Sequence, residues 1–255
     1  MRFADIPGHD DVKQRLCDMA DAGRIPHALL LEGTPGVGKF ALARAFAQYI
    51  HCTNRQNGDS CGCCPSCVQH QTFNQVDTYY SYPILKSVAS SGRCEDLFDT
   101  WKSFLAGDTE KDANRGAGMF MDFDRWVQMM GNPNGQPLIY SDESLRIISW
   151  FTTTSYSTRY KIMIMWLPER MQEECANKLL KLIEEPMDDS LMIFVSNTPQ
   201  KILPTVYSRM QRIKVKRLDN SVVEDYLRTK LKAKPDTVAE ISRLAEGSIL
   251  DAIKR

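Results

Sequence analysis

The chain has 255 residues, of which 43% are hydrophobic and 25% charged, and its 32 basic residues balance 32 acidic ones. That length suits one large or two smaller domains with a substantial core, and the balanced charge gives no footprint of a dedicated nucleic-acid binder while leaving room for a local basic face. No run approaches the roughly 18 apolar residues of a membrane span and residues 1–30 carry no signal-peptide pattern, so a cytoplasmic protein with reduced cysteines is expected.

The first apolar strand is expected at His27–Leu31 and runs into Gly33-Thr34-Pro35-Gly36-Val37-Gly38-Lys39. A helix follows over Lys39–His51, with Ala41, Ala43, Ala45 and Ala47 as helix formers. Strand, glycine loop and helix in this order are the context of a phosphate-binding loop, in which Gly33, Gly36, Gly38 and Lys39 would meet phosphates. The motif then requires Ser or Thr as a Mg²⁺ ligand, and position 40 is Phe40, which has no oxygen to offer.

Five of the eight cysteines fall between Cys52 and Cys67. Cys52, Cys61, Cys64 and Cys67 read C-x8-C-x2-C-x2-C, and two-residue gaps let neighbouring thiolates turn back on one tetrahedral ion. Four thiolates close a structural zinc site with no open position for catalysis. A reducing compartment argues against disulfides, and Asn57-Gly58-Asp59-Ser60 and Pro65-Ser66 argue against a buried thiol cluster. Cys63 is an alternative to Cys64 as ligand, while Cys17, Cys94 and Cys175 are isolated packing residues.

From about Asp77 to Tyr140 the sequence is aromatic and irregular, with short amphipathic helices expected at Glu95–Leu105 and Met121–Met130 and with aromatic side chains expected to pack this stretch onto the core, the alternative being a partner surface. Helix Ser141–Thr154, strand Lys161–Leu167, helix Gln172–Glu185 and strands Leu191–Ser196 and Ile213–Val215 follow. Helix Gln172–Glu185 stops before Pro186, whose ring disfavours a helical residue ahead of it. Beyond Ser221 the pattern is wholly helical, at Val222–Leu231, Asp236–Ala245 and from near Ser248. The fold class is α/β, a parallel sheet flanked by helices, followed by a small helical unit.

Four stretches together resemble one family. Ala176-Asn177-Lys178-Leu179-Leu180-Lys181-Leu182-Ile183-Glu184-Glu185-Pro186 looks like its A-N-x-L-L-K-x-L-E-E-P helix, and Thr205-Val206-Tyr207-Ser208-Arg209 like its T-I-x-S-R-C, with Met210 in place of the cysteine. His27–Gly33 resembles the strand entering its phosphate loop, and the four-cysteine module after the first helix resembles its zinc insertion. The family is the AAA+ clamp loader of the bacterial replicative DNA polymerase III, the delta-prime and gamma/tau subunits. The resemblance implies an AAA+ P-loop core at 1–217 with a zinc insertion at 52–67 and a further insertion at about 77–140, then a helical lid at 218–255 that is incomplete, with the family's C-terminal collar domain absent from this chain.

Three family positions differ. Besides Phe40, the Asp-Glu pair that ends the second core strand reads Trp166 and Leu167, with Glu169 too far along to replace it, and the arginine of the lid motif G-S-x-R-D-A reads Leu250. The resemblance therefore implies the delta-prime pattern: a subunit with no Mg²⁺ site, binding ATP weakly or not at all, whose Arg209, with Ser208, reaches as an arginine finger into the ATP site of a neighbour. Its partners would be the other clamp-loader subunits (gamma/tau and delta) and, through the ring, the sliding clamp and primed DNA. The alternatives are an active gamma/tau-type ATPase, which the three departures oppose, and a zinc-dependent nucleic-acid-binding protein outside the replisome. The second is opposed by the few basic or aromatic residues near the cysteines, Arg55 and His51 being nearest, while Arg228–Lys234 reads as a solvated helix face.

Overall fold

The computed structural model describes residues 1–107, 116 and 118–255; the remainder of the 77–140 insertion lies outside the described residues. The described strands form one parallel sheet in the order β2-β3-β4-β1-β5, with β1 at Ala28–Glu32, β2 at Thr78–Ser81, β3 at Lys161–Trp166, β4 at Ser190–Ser196 and β5 at Gln211–Lys214. β1, β3 and β4 are almost entirely buried, which is why they read as unbroken apolar runs rather than alternating ones.

Both sheet faces are covered. Leu29, Leu31, Ile162, Ile164, Ile193 and Val195 point to one core, shared with α1 (Asp10–Asp21) and α2 (Lys39–His51). Ala28, Leu30, Met163, Met165, Met192 and Phe194 point to the other. There they meet α6 (Ser141–Thr152), α7 (Glu173–Glu184) and α8 (Pro204–Tyr207). Helix α2 is buried along its whole length, so its Ala-rich sequence serves close packing as well as propensity.

The cysteine module carries the short helix α3 (Pro65–Gln71), opened by a proline at its first position, where the missing N–H costs nothing. The insertion contributes α4 (Phe98–Ala106) and α5 (Phe123–Met129), close to the expected amphipathic segments. β2 also lies in this region, where sequence reading found only irregular chain. The C-terminal unit, expected from the resemblance to be a lid and here given that name, consists of α9 (Asn220–Thr229), α10 (Pro235–Ala245) and α11 (Ile249–Lys254) around a small apolar cluster of its own. Pro235 begins α10, and Glu246 in the left-handed conformation ends it ahead of Gly247. Among the described residues no helix is long and apolar enough to cross a membrane.

Candidate functional site

The glycine loop leaves the end of β1 and turns into α2 at Gly38, whose φ of 91° few other residues tolerate. Its backbone is gripped from both sides. A Cβ on Gly33 would run into the Val215 carbonyl, and one on Gly36 would strike Ser248 and Leu250 of the lid. The Ile249 amide donates to the Gly36 carbonyl at 3.1 Å, and His9 Nε2 donates to the Val37 carbonyl at 2.7 Å.

Lys39 is turned inward. It is 4% exposed, and its ammonium donates to the Gly33 and Thr34 carbonyls of its own loop. Burial lowers its pKa to about 7, against a smaller opposing pull from the carboxylate of Glu169. The cavity left beside Gly36, Gly38 and Lys39 measures about 10 Å³, with Met119, Met121 and Trp166 in its wall. A bound water needs roughly that much and a small-molecule ligand ~300 Å³ or more. A wider opening of about 490 Å³, bounded by Pro35, Phe123, Glu169, Asn197 and Leu250, lies alongside, and neither Gly38 nor Lys39 lines it.

Phe40 and Trp166 meet in one aromatic cluster. Phe40 is 1% exposed and packs edge-on against Trp101 of α4, with ring centroids 5.7 Å apart. Trp166, at the end of β3, lies 5.6 Å from the same Trp101 ring and 6.0 Å from Phe123. Tyr82 stacks on Trp101 at 4.0 Å, and Phe104 and Trp126 close the cluster. The insertion's aromatic residues thus pack onto the core through Phe40 of α2 and Trp166 of β3.

Leu167 follows in the left-handed conformation (φ 59°) and turns the chain so that Glu169 faces the end of β4. Glu169 Oε1 accepts from the Asn197 and Thr198 amides at 2.9 and 3.1 Å and from Thr198 Oγ1 at 3.1 Å. Sequence spacing had set Glu169 apart from the site. Sheet register brings it back, because Trp166 pairs with Val195 and the ends of β3 and β4 therefore lie side by side. It does so as a brace of β4, with a carboxylate close enough for its charge to act on Lys39.

The four cysteines converge. The sulfurs of Cys52, Cys61, Cys64 and Cys67 all lie within 4.8 Å of one another, with Cys52–Cys61 at 3.6 Å and Cys61–Cys67 at 3.9 Å. Tetrahedral Zn–S bonds of about 2.3 Å require sulfurs about 3.8 Å apart, so the donor set fits a metal ion. The Asn54 and Cys61 amides donate to Cys52 Sγ and the Cys64 amide to Cys61 Sγ, contacts that favour thiolate over thiol. Cys63 is exposed and outside the cluster, while Cys17, Cys94 and Cys175 are buried singly.

The module is fastened to the core by polar contacts. His51 Nε2 donates to the Tyr160 carbonyl at 2.9 Å, which leaves Nδ1 to accept from His70 Nε2 at 2.9 Å. Asp59 receives the Phe3 and Ala4 amides at 3.0 and 2.8 Å, and Gln48 donates to Ser60 at 2.8 Å.

Arg209 follows α8 at the surface, where its guanidinium pairs with Glu184 at 2.6 Å and donates to the Thr205 carbonyl at 2.7 Å. Ser208 Oγ donates to the same carbonyl at 3.3 Å. β5 starts at Gln211 opposite Leu29 and ends at Lys214 opposite Glu32, beside the glycine loop. At roughly 3.3 Å per residue, about 10 Å of strand separates the Arg209 end of β5 from the glycine-loop end.

Residues 8–219 match the family described as DNA polymerase III, delta subunit. The chain is 25% identical over 256 residues to DNA polymerase III subunit tau of Escherichia coli K12, an alignment covering 98% of this chain and 32% of that protein. It is 22% identical over 216 residues to DNA polymerase III subunit delta' of Bacillus subtilis 168, covering 85% of this chain and 50% of that one. The chain thus spans about a third of the length of the E. coli tau protein it matches. In fold it is similar to a DNA polymerase III gamma subunit-related protein of Thermotoga maritima, with a TM-score of 0.51, 14% identity and coverage of 94% of this chain and 57% of that one. The Holliday junction branch migration motor RuvB of T. maritima also shares the fold, with a TM-score of 0.51, 11% identity and coverage of 97% and 60%. With a family model covering most of its length, the chain belongs to the DNA polymerase III delta-subunit family of clamp-loader proteins.

Proposed function

We propose that this chain is a non-hydrolysing, delta-prime-type subunit of the DNA polymerase III clamp loader, which supplies Arg209 to the ATP site of a neighbouring subunit while the ring loads the sliding clamp onto primed DNA. The observation that carries this reading is the burial of Phe40 and Trp166 against Trp101. Where Mg²⁺ would need a hydroxyl and a carboxylate, the chain has aromatic carbon, and Leu250 replaces the arginine that a lid would extend to a γ-phosphate. Lys39 donates to its own loop carbonyls, so its ammonium would have to leave them before it could meet a phosphate.

Arg209 is the functional group that remains. It is exposed, its ion pair with Glu184 is a surface one that costs little to exchange, and it sits at the end of β5 away from its own glycine loop. A planar, permanently charged guanidinium can spread two hydrogen bonds over a transferring phosphoryl group, and such an arginine supplied in trans accelerates other nucleotide hydrolases by about 10³–10⁵. Cys52, Cys61, Cys64 and Cys67 would hold a structural Zn²⁺, which ties the segment between α2 and α3 into one unit.

The tau proteins match at an identity similar to that of delta', so overall similarity does not choose between an ATPase and a silent subunit. Residue chemistry favours the silent one. The test is ATP hydrolysis by a reconstituted ring, with the isolated chain as control. The isolated chain is expected to be inactive, and Arg209→Ala to slow the ring by up to about 10³-fold or more, with Arg209→Lys recovering little because it lacks the fork. Hydrolysis by the isolated chain would make it an ATPase, and a ring indifferent to Arg209→Ala would make that arginine a plain surface residue.

A further inference from the structure

We propose that residues 119–124 act as a built-in wedge which takes the place of a nucleotide between sheet and lid and sets the lid's position without ATP. The segment touches all three parties in turn. Met119 and Met121 line the remnant cavity beside Gly36, Gly38 and Lys39, their unbranched side chains filling an irregular gap. Phe120, between them, belongs to the lid: it is 4% exposed, sits in the cluster of Leu218, Val223 and Ile249, and packs edge-on against Tyr226 with centroids 5.3 Å apart.

Asp122 and Asp124 continue the bridge. Asp122 caps α5 by accepting from the Asp124 amide at 3.1 Å, and its carboxylate also receives the Lys254 ammonium of α11 at 2.9 Å. Asp124 lies 3.5 Å from the same ammonium. From the other side the lid closes directly on the loop, through the amides of Ile249 and Leu250 at 3.1 and 3.4 Å from the Gly36 carbonyl.

A ligand shifts a two-position lid only by its differential affinity for the two positions. Here covalently attached side chains supply that preference permanently. The lid's orientation is therefore a property of the polypeptide, and the wedge residues, rather than a phosphate, bridge loop to lid. This concerns the chain's own lid and stands whether or not Arg209 serves a neighbour.

The experiment is hydrogen–deuterium exchange on the purified chain, following the amides of residues 247–254 against those of β1 and β4, with and without millimolar Mg·ATP. In the unmodified protein the Ile249 and Leu250 amides are expected to exchange slowly and at a rate that ATP does not alter. Phe120→Ala should speed them on the order of tenfold or more while β1 and β4 keep their protection. Lys254→Gln, a surface change that leaves both cores intact, should speed the same amides by roughly twofold. Slowing by ATP in the unmodified protein would overturn the proposal. So would unchanged α11 exchange in a folded Phe120→Ala protein. Should that variant fail to fold, Lys254→Gln decides alone: faster α11 exchange supports the wedge and an unchanged rate rejects it.

Discussion

The cysteine module and the glycine loop are both legible as motifs, yet they differ in what has been kept. In the module the donors survive and the backbone between them is free to vary: four sulfurs converge within 4.8 Å while Cys63 stands aside. In the loop the glycine backbone path is kept, and aromatic side chains stand beside it at positions 40 and 166. Gly33 and Gly36 are needed because Val215 and the lid press against them, whereas Phe40 and Trp166 fill the space with rings. A motif is two things, a chain path and a set of reacting atoms, and this molecule separates them.

Removing metal should produce the largest effect. One zinc per chain is expected by elemental analysis, and because structural zinc binding is worth about 10–16 kcal/mol in small modules, chelation should unfold the segment 52–67 and lower the melting temperature of the whole chain. The module's anchorage through His51, His70 and Asp59 transmits that loss to the core. A metal-free protein with unchanged melting would show that the sulfurs converge for another reason.

The next largest effect is expected in the aromatic cluster. Trp101→Ala should cost about 3–5 kcal/mol in urea denaturation, the range for deleting a fully buried large aromatic side chain. A loss below about 1 kcal/mol would mean that the rings fill space beside the glycine loop without holding the insertion to the core.

Lys39 gives a pH signature. Its pKa falls from the ordinary lysine range to about 7 on folding, so between pH 7 and about 10 the unfolded chain binds more protons at this residue than the folded one. Stability therefore rises with pH in that window. Below pH 7 the full cost of burying the ammonium is present. Lys39→Met should remove a slope of at most about 1.4 kcal/mol per pH unit from denaturation curves taken between pH 7.5 and 9. Identical slopes in both proteins would mean the ammonium is solvated.

The smallest effect belongs to Cys63→Ser. It should retain zinc and change stability by no more than about 0.5 kcal/mol, as an exposed substitution outside the cluster. Loss of zinc would exchange Cys63 for one of the four.

Sequence reading reached furthest where structure is local. The path Ala28–His51, the helix α7 before Pro186 and the four-cysteine spacing all depend on neighbours along the chain. It fell short where contacts come from the sheet. Thr78–Ser81 is a strand because Tyr79 and Tyr80 pair with Met163 and Ile164, eighty-odd residues on. Glu169 reaches Asn197 and Thr198 through the register of β3 and β4. The aromatic character of the insertion was visible, but that Trp101 would lie against both Phe40 and Trp166 was not, since no periodicity encodes which core a ring will enter. α1 was also overlooked, although Val12, Leu16 and Ala20 mark its buried stripe.

β5 carries one more consequence. Among the described residues it is an edge strand, with backbone amides and carbonyls on its outer side that no other described strand pairs, and Gln211, Arg212 and Lys214 stand exposed along it while Ile213 alone is buried. Flanking positive charge makes addition of a second strand at this edge electrostatically unfavourable. The same row disfavours sheet-to-sheet association between copies of this chain.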